Sequence, residues 1–230
     1  MKQNDYKVAV VMPALNEEKS IGLVLNHIPT KFKQCIIVAD NGSSDKTSEV
    51  ALAYGAIVTT ANQQGYGSAC LAGIQKALEY RPDIIVFLDA DYSDFPEDMT
   101  EIVEYLIDNN LDLVIGSRNL GQAEKGSILP QAIFGNWLAT NLMYLRYRYK
   151  FSDLGPFRAI RASSLERLNM QDTNFGWTVE MQIKALKYKL QVGEVDVRYR
   201  KRIGISKITG TIKGSFKAGV KILWTIFLYR

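Results

Sequence analysis

Short apolar runs recur through the first half of the chain, at 7–12, 35–39, 56–59, 83–88 and 112–115. Val and Ile dominate them, which is how strands covered on both faces read. The stretches between, at 17–28, 46–54, 68–80 and 96–108, carry the wider spacing of amphipathic helices. Pro96 suits a first helical turn, and Glu97 and Asp98 suit the positive end of a helix dipole. Strands alternating with helices predict an α/β fold, a mostly parallel sheet with helices on both faces.

The second half has a different pattern. Residues 131–149 read as a helix rich in aromatic and apolar positions that ends in the basic RYRYK. The segment FSDLGPFRAI follows, then a helix at 178–189 and a strand at 192–199. At 211–229, Phe216, Val220, Leu223 and Phe227 recur at helical spacing, while Lys213, Lys217 and Lys221 form a separate stripe. That profile fits a helix lying in a membrane interface, and equally an amphipathic helix packed on the domain or on a second subunit of a homo-oligomer. No linker, repeat or low-complexity block divides the 230 residues, so the chain reads as one domain.

Composition narrows the classes. Apolar and charged fractions of 47% and 23% exclude disordered and collagen-like chains. Cys35 and Cys70 lack metal or redox spacing. Neither a signal peptide nor an uninterrupted apolar run of membrane-spanning length is present, so the expected location is cytoplasmic, with peripheral contact at the inner face of a membrane left open. The net charge of +4 hides an asymmetry: no acidic residue follows Asp196, whereas Arg198, Arg200, Lys201, Arg202 and Lys207 begin a basic run. Such a run implies an anionic partner. RRM, KH and helix-turn-helix patterns are missing, which argues against nucleic acid.

The candidate chemistry gathers where strands end. NEE follows the first strand, DNGSSDKT the second, QQGYGS the third and DADYSD the fourth. Open α/β sheets bind ligands outside the carboxyl ends of their strands. Asp89 and Asp91, flanking Ala90, can turn two carboxylates toward one hard cation, Mg²⁺ or Mn²⁺, whose other ligands are substrate phosphates. An EF-hand is excluded because Asp94 and Thr100 stand where that loop needs Gly and Glu. Asp40 can accept hydrogen bonds from a ribose or nucleobase, while Asp45 suits a helix cap. Gly65 lies in a Gly-rich loop without the Walker or dinucleotide spacing, suited either to close backbone approach by a nucleotide or to a plain turn. Arg118 follows the fifth strand and Arg158 follows Asp153. Glu180, beside Trp177, is either a general base with a raised pKa or an exposed helix acid.

Taken in order, VVMPALNEE, VADNGSSDKT, QQGYGSA, FLDADYSDFPEDM and RYRKRIGISKITGT make the chain resemble the family 2 glycosyltransferases of GT-A (Rossmann-like) fold. The resemblance runs from about residue 8 to 211 and is to the branch of dolichol-phosphate mannose and glucose synthases and their undecaprenyl-phosphate counterparts. It implies that Pro13, Leu15 and Glu17 meet the nucleotide, that Asp40 reads the base, and that Asp89 and Asp91 hold metal and diphosphate. It also implies that Arg118, Arg202, Ser206 and Lys207 hold phosphates of donor or acceptor. Asp153, Phe157 and Arg158 match the family segment bordering the acceptor. Asn41 stands where many members carry a second Asp, Ser93 where a Gln often helps hold the metal, and the Asp153 segment is one residue short.

The function expected is inverting, metal-dependent transfer of a sugar from a nucleotide diphosphate, of UDP-glucose or GDP-mannose type, to a polyprenyl phosphate. Asp91, Arg118, Asp153 and Glu180 are the candidate catalytic residues, Pro13, Leu15, Glu17, Asp40, Gly65, Asp89 and Ala90 the nucleotide-binding ones, and Arg158, Arg202, Ser206 and Lys207 the acceptor-binding ones. Residues 1–120 form the nucleotide-binding half and 121–230 the acceptor-binding half. A phosphate acceptor is already largely ionised at neutral pH, with a second pKa of about 6, and needs no general base. The rival readings are a related enzyme acting on a hydroxyl, a sugar nucleotidyltransferase, and a non-catalytic nucleotide-binding module.

Overall fold

The computed structural model describes residues 6–204 and 212–229, with side chains of the last helix described from Gly219 onward. The seven strands are β1 (Val8–Ala14), β2 (Ile36–Asp40), β3 (Ile57–Thr60), β4 (Ile84–Phe87), β5 (Leu113–Ser117), β6 (Arg158–Arg161) and β7 (Val192–Asp196). They form one sheet in the order β3-β2-β1-β4-β6-β5-β7. Every pairing is parallel except those of β6, which runs antiparallel to both β4 and β5. The expected mostly parallel α/β fold is present, and β6 and the short helix at Ala162–Leu168 are elements that the sequence pattern did not predict.

Burial on both faces explains the near-continuous apolar strands. In β1, Val10 and Met12 enter one core and Ala9 and Val11 the other. The first core is covered by α1 (Ile21–His27), α2 (Thr47–Ala53) and α4 (Met99–Asp108). The second is covered by α3 (Tyr66–Leu78), α5 (Pro130–Tyr147), α6 (Ala162–Leu168), α7 (Trp177–Lys187) and α8 (Ile212–Leu228). Trp177 is the largest side chain sealed inside, in edge contact with Phe87 and Tyr66.

Element ends differ from the sequence expectation where side chains intervene. The first helix begins at Ile21 rather than 17, because Asn16 adopts a left-handed φ of 54° and residues after it form a turn. Pro96 opens a single 3₁₀ turn, Pro96–Asp98, ahead of α4. The strand expected at 192–199 ends at Asp196, from where the chain turns across the DADYSD loop.

Strand order sets the position of the site. β1 connects outward to β2 and β3 on one side, whereas β4 lies against β1 on the other. The crevice at this reversal, outside the carboxyl ends of β1 and β4, is where open α/β sheets take ligands.

Candidate active site

A cleft of about 410 Å³ opens at that reversal. Pro13, Ala14, Leu15 and Glu17 come from the end of β1, Gly65 and Tyr66 from the start of α3, and Asp89, Ala90 and Asp91 from the turn after β4. Arg202 reaches in from the basic run, and Asn41, Gln64, Asn174 and Phe175 complete the lining.

The two carboxylates of the Asp-x-Asp turn are held differently. Asp91 is clamped: its Oδ1 accepts from the Ser93 amide (2.9 Å) and from the Ser93 hydroxyl, and its Oδ2 pairs with Arg202 at 3.0 Å. Asp89 accepts only the phenol of Tyr66, at 3.1 Å, among the bonds described. Burial, then repulsion from Asp91, pushes the Asp89 carboxyl up to about 7, against the Tyr66 hydrogen bond and the positive charges of Arg202 and Arg118. Asp94 is 1% exposed and neither of its carboxyl oxygens has a hydrogen-bond partner. Burial and the charges of Asp89 and Asp91 push its pKa well above the usual carboxylate value.

This donor set suits a hard divalent cation with shared coordination. Two carboxylates whose repulsion raises a pKa are relieved by a cation between them. Among the described residues no cluster of three or more His, Cys, Asp or Glu is arranged to hold a metal alone. Mg²⁺-type ions commonly use one or two carboxylates and take the remaining oxygens from substrate phosphate and water.

The basic run lies directly over this turn. The Arg200 amide donates to the Ser93 carbonyl at 2.9 Å, and the Ile203 amide to that of Asp91 at 3.0 Å. Arg198 pairs with Asp98, while Arg200 stacks on the rings of Tyr92 and Phe95 and donates to the carbonyls of Tyr92 and Asp94. These two arginines therefore brace the acidic turn. Arg202 points into the cleft and spans Glu17 (2.6 Å) and Asp91 (3.0 Å). Ser206 and Lys207 lie outside the described residues.

Several expected site residues face elsewhere. Asp40 ends β2, but its oxygens accept from the Ser43 amide (2.8 Å) and the Ser48 hydroxyl (2.6 Å), and it does not line the cleft. Burial would raise its pKa, yet the bonds from Ser43 and Ser48 outweigh that and hold it low. Arg118 and Asp153 form a two-pronged pair with each other, at 2.7 and 2.8 Å, and neither lines the cleft. Each holds the other charged despite burial, lowering the Asp153 pKa and raising that of Arg118.

Arg158 and Glu180 both lie in the interior, away from the lining of the cleft. Arg158 is fully buried, and its guanidinium donates to the carbonyls of Leu154, Gly155 and Thr178, out of reach of any acceptor. Burial pulls its pKa down to about 10. Glu180 is 0% exposed and accepts from the amides of Gln171 and Asp172, from Lys184 (2.6 Å) and from the Tyr229 hydroxyl (2.6 Å). A carboxylate with that many donors organises its surroundings and has no open face for a substrate proton.

Tyr66, Asn174 and Phe175 are cleft residues that sequence reasoning did not single out. Tyr66 stood within the quoted Gly-rich motif. Asn174 and Phe175 come from an irregular stretch between α6 and α7 that carries no strand-end signal.

Comparison with known proteins bears on the family and the fold. The family model described as Glycosyl transferase family 2 matches residues 9–168. An uncharacterized glycosyltransferase of Mycobacterium tuberculosis is 35% identical over 213 residues, covering 92% of this chain and 94% of the relative. A UDP-N-acetylglucosamine–dolichyl-phosphate N-acetylglucosaminyltransferase of Methanococcus voltae is 27% identical over 215 residues, 84% of this chain and 86% of the relative. Among solved structures, glucosyl-3-phosphoglycerate synthase from M. tuberculosis in complex with Mn²⁺ and UDP-glucose superposes with a TM-score of 0.73 at 20% identity, over 98% of this chain and 79% of that one. That likeness is one of fold.

Proposed function

The chain belongs to glycosyl transferase family 2, and from that premise we propose that it transfers a hexose, with inversion, from a nucleoside-diphosphate sugar to a polyprenyl phosphate. The observation that carries the proposal is the convergence of Asp89, Asp91 and Arg202 on one cleft at the strand reversal.

In this reading residues 1–120 bind the nucleotide, with Pro13, Leu15 and Glu17 along one wall and Gly65 and Tyr66 along the other. Residues 121–230 add the Asn174–Phe175 wall and serve the acceptor. Asp89 and Asp91 would hold Mg²⁺ or Mn²⁺ together with the donor diphosphate. The cation would supply neutralisation of the charge that grows on the departing diphosphate. Ser93 fixes the Asp91 rotamer for that purpose, and Tyr66 fixes that of Asp89. Arg202 carries a planar fork suited to phosphate oxygens, and its contacts with Glu17 and Asp91 set it at the cleft mouth beforehand.

A phosphate acceptor is favoured by what surrounds the cleft. The carboxylates among its described lining residues are Glu17, Asp89 and Asp91, of which Glu17 and Asp91 pair with Arg202. Glu180 is walled off. A hydroxyl acceptor needs a general base, worth about 10²–10⁴-fold, whereas a phosphate brings its own ionised oxygen. The acceptor named for the Methanococcus relative has that chemistry.

A lipid-linked acceptor asks for contact with a bilayer. No helix among the described residues is long and apolar enough to cross a membrane. Instead α5 exposes Ile133, Phe134, Trp137 and Leu145, and α8 exposes Val220, Trp224 and Phe227. Neither helix contains an acidic residue. Exposed aromatics on helices that carry no acidic residue suit a peripheral helix on an anionic surface.

The test is transfer itself. Purified protein with radiolabelled UDP-glucose or GDP-mannose, Mn²⁺ and undecaprenyl phosphate in detergent should yield a labelled lipid product. Labelling of a soluble hydroxyl acceptor alone would reject the polyprenyl-phosphate assignment.

A further inference from the structure

The stretch between α6 and α7 is irregular, yet it supplies the Asn174–Phe175 wall of the cleft. Its backbone must therefore be fixed by something other than a helix or sheet ladder. On the inner side, the Ser68 amide donates to the Thr173 carbonyl at 2.9 Å. On the other side, two carboxylates hold it. Glu180 accepts the amides of Gln171 (3.0 Å) and Asp172 (2.7 Å), and the Asp172 carboxylate accepts the Asn174 amide (2.7 Å).

Both carboxylates are gripped in turn from the C-terminal helix. Lys221 pairs with Asp172 at 2.8 Å, and the Tyr229 hydroxyl donates to Glu180 at 2.6 Å. Thr225, between them, lies so close to Gly176 that no Cβ would fit there. Three points along α8 and its end thus meet Asp172 within the loop, Gly176 just after it, and Glu180, which holds the amides at its start.

The loop in turn presses on the opposite wall. Gly65, at φ 149°, and Gly67 abut the carbonyls of Thr173 and Asp172, with no room for a Cβ at either glycine. Any displacement of 171–175 is therefore passed to Gly65 and Tyr66, and through the Tyr66 phenol to Asp89. Close-packed backbone transmits a shift where a side-chain contact would absorb it.

We propose that Lys221 and Tyr229 are positioning residues for donor binding, acting from the C-terminal helix through Asp172 and Glu180 on the 171–175 wall of the cleft. The proposal rests on the reading of that cleft as the nucleotide site. It makes donor affinity a property of how α8 is seated, so that a disturbance at the helix is felt about the nucleotide.

The experiment uses the full chain carrying Lys221→Met and Tyr229→Phe together, which removes both polar contacts and keeps the side-chain stems. Titration with UDP and GDP in the presence of Mn²⁺ should show about a tenfold rise in Kd, since two charge-assisted bonds are lost and the wall is only indirectly affected. In turnover the donor KM should rise by a similar factor, with kcat within about threefold. Lys221→Arg should retain wild-type affinity. Hydrogen exchange at the Gln171 and Asp172 amides should quicken in the double variant even if its melting temperature falls. Unchanged nucleotide affinity together with unchanged exchange at 171–175 would overturn the latch, as would a kcat loss at constant KM. Absence of any nucleotide binding by the wild type would instead overturn the reading of the cleft, while the exchange data would still decide the latch.

Discussion

The two halves of the molecule use their charged residues in opposite ways. In the first half, Asp89 faces the cleft with a single described hydrogen bond and a carboxyl raised to about 7. In the second half, Arg158, Glu180 and Asp153, which pairs with Arg118 from the end of β5, are buried and held by several partners. Ligand chemistry needs groups whose bonding is unfinished, and a folded interior needs the reverse. Arg202 crosses between the two regimes, leaving the braced run of Arg198 and Arg200 to reach Glu17 and Asp91.

That contrast is open to direct attack. Asp91→Ala removes one carboxylate of the acidic turn and should lower kcat by about 10³-fold or more at any donor concentration, read by product formation at saturating Mn²⁺. Metal-dependent turnover near wild-type level would erase the distinction between the halves. Arg202→Ala should lower kcat/KM by roughly 10–100-fold, the scale of a lost charge-assisted bond to phosphate. It should also weaken nucleoside diphosphate more than nucleoside binding.

Acidity gives a third handle. The Asp89 carboxyl lies near 7 in the ligand-free protein, so below that pH a cation must displace a proton. Mn²⁺ affinity should therefore fall as pH falls, approaching about tenfold per unit well below pH 7, and level off above it. A flat profile between pH 5.5 and 8, followed by calorimetry on the order of half-unit steps, would mean that Asp89 does not meet the ion.

The smallest kinetic effect is expected from the saturated half. Glu180→Gln should leave kcat within about threefold, because the residue takes no proton from substrate. The same substitution should lower the melting temperature clearly, since it leaves Lys184 without its buried partner, and breaking such a pair costs about 3–5 kcal/mol. A thousandfold fall in kcat with unchanged melting would restore Glu180 as a general base.

The contrast also explains which features could be read from the sequence. The doubly covered strands β1, β2, β4 and β5 are legible because burial on both faces leaves an uninterrupted apolar signature. The acidic turn is legible because two carboxylates one residue apart follow such a strand. β6 escaped because its four residues, RAIR, begin and end with arginine. Arg158 is nevertheless buried, its charge met by three backbone carbonyls that no local pattern reveals. The burial of Glu180 was not legible for the same reason: a carboxylate beside aromatics looks alike whether it faces a cleft or gathers amides. Asn174 and Phe175 reach the cleft only through tertiary ties to Glu180 and Asp172, from a stretch with no periodicity. Asp40 shows a finer limit, since its position after β2 was legible and the engagement of its oxygens by Ser43 and Ser48 was not.

The most direct measurement is a crystal structure of the protein with Mn²⁺ and a nucleoside diphosphate, recorded at the manganese absorption edge. The account predicts one anomalous peak within about 2–2.5 Å of carboxylate oxygens from the Asp89–Asp91 turn and of the diphosphate, with Arg202 on a phosphate oxygen. A nucleotide seated elsewhere, or seated in the cleft with no ion touching either aspartate, would contradict it.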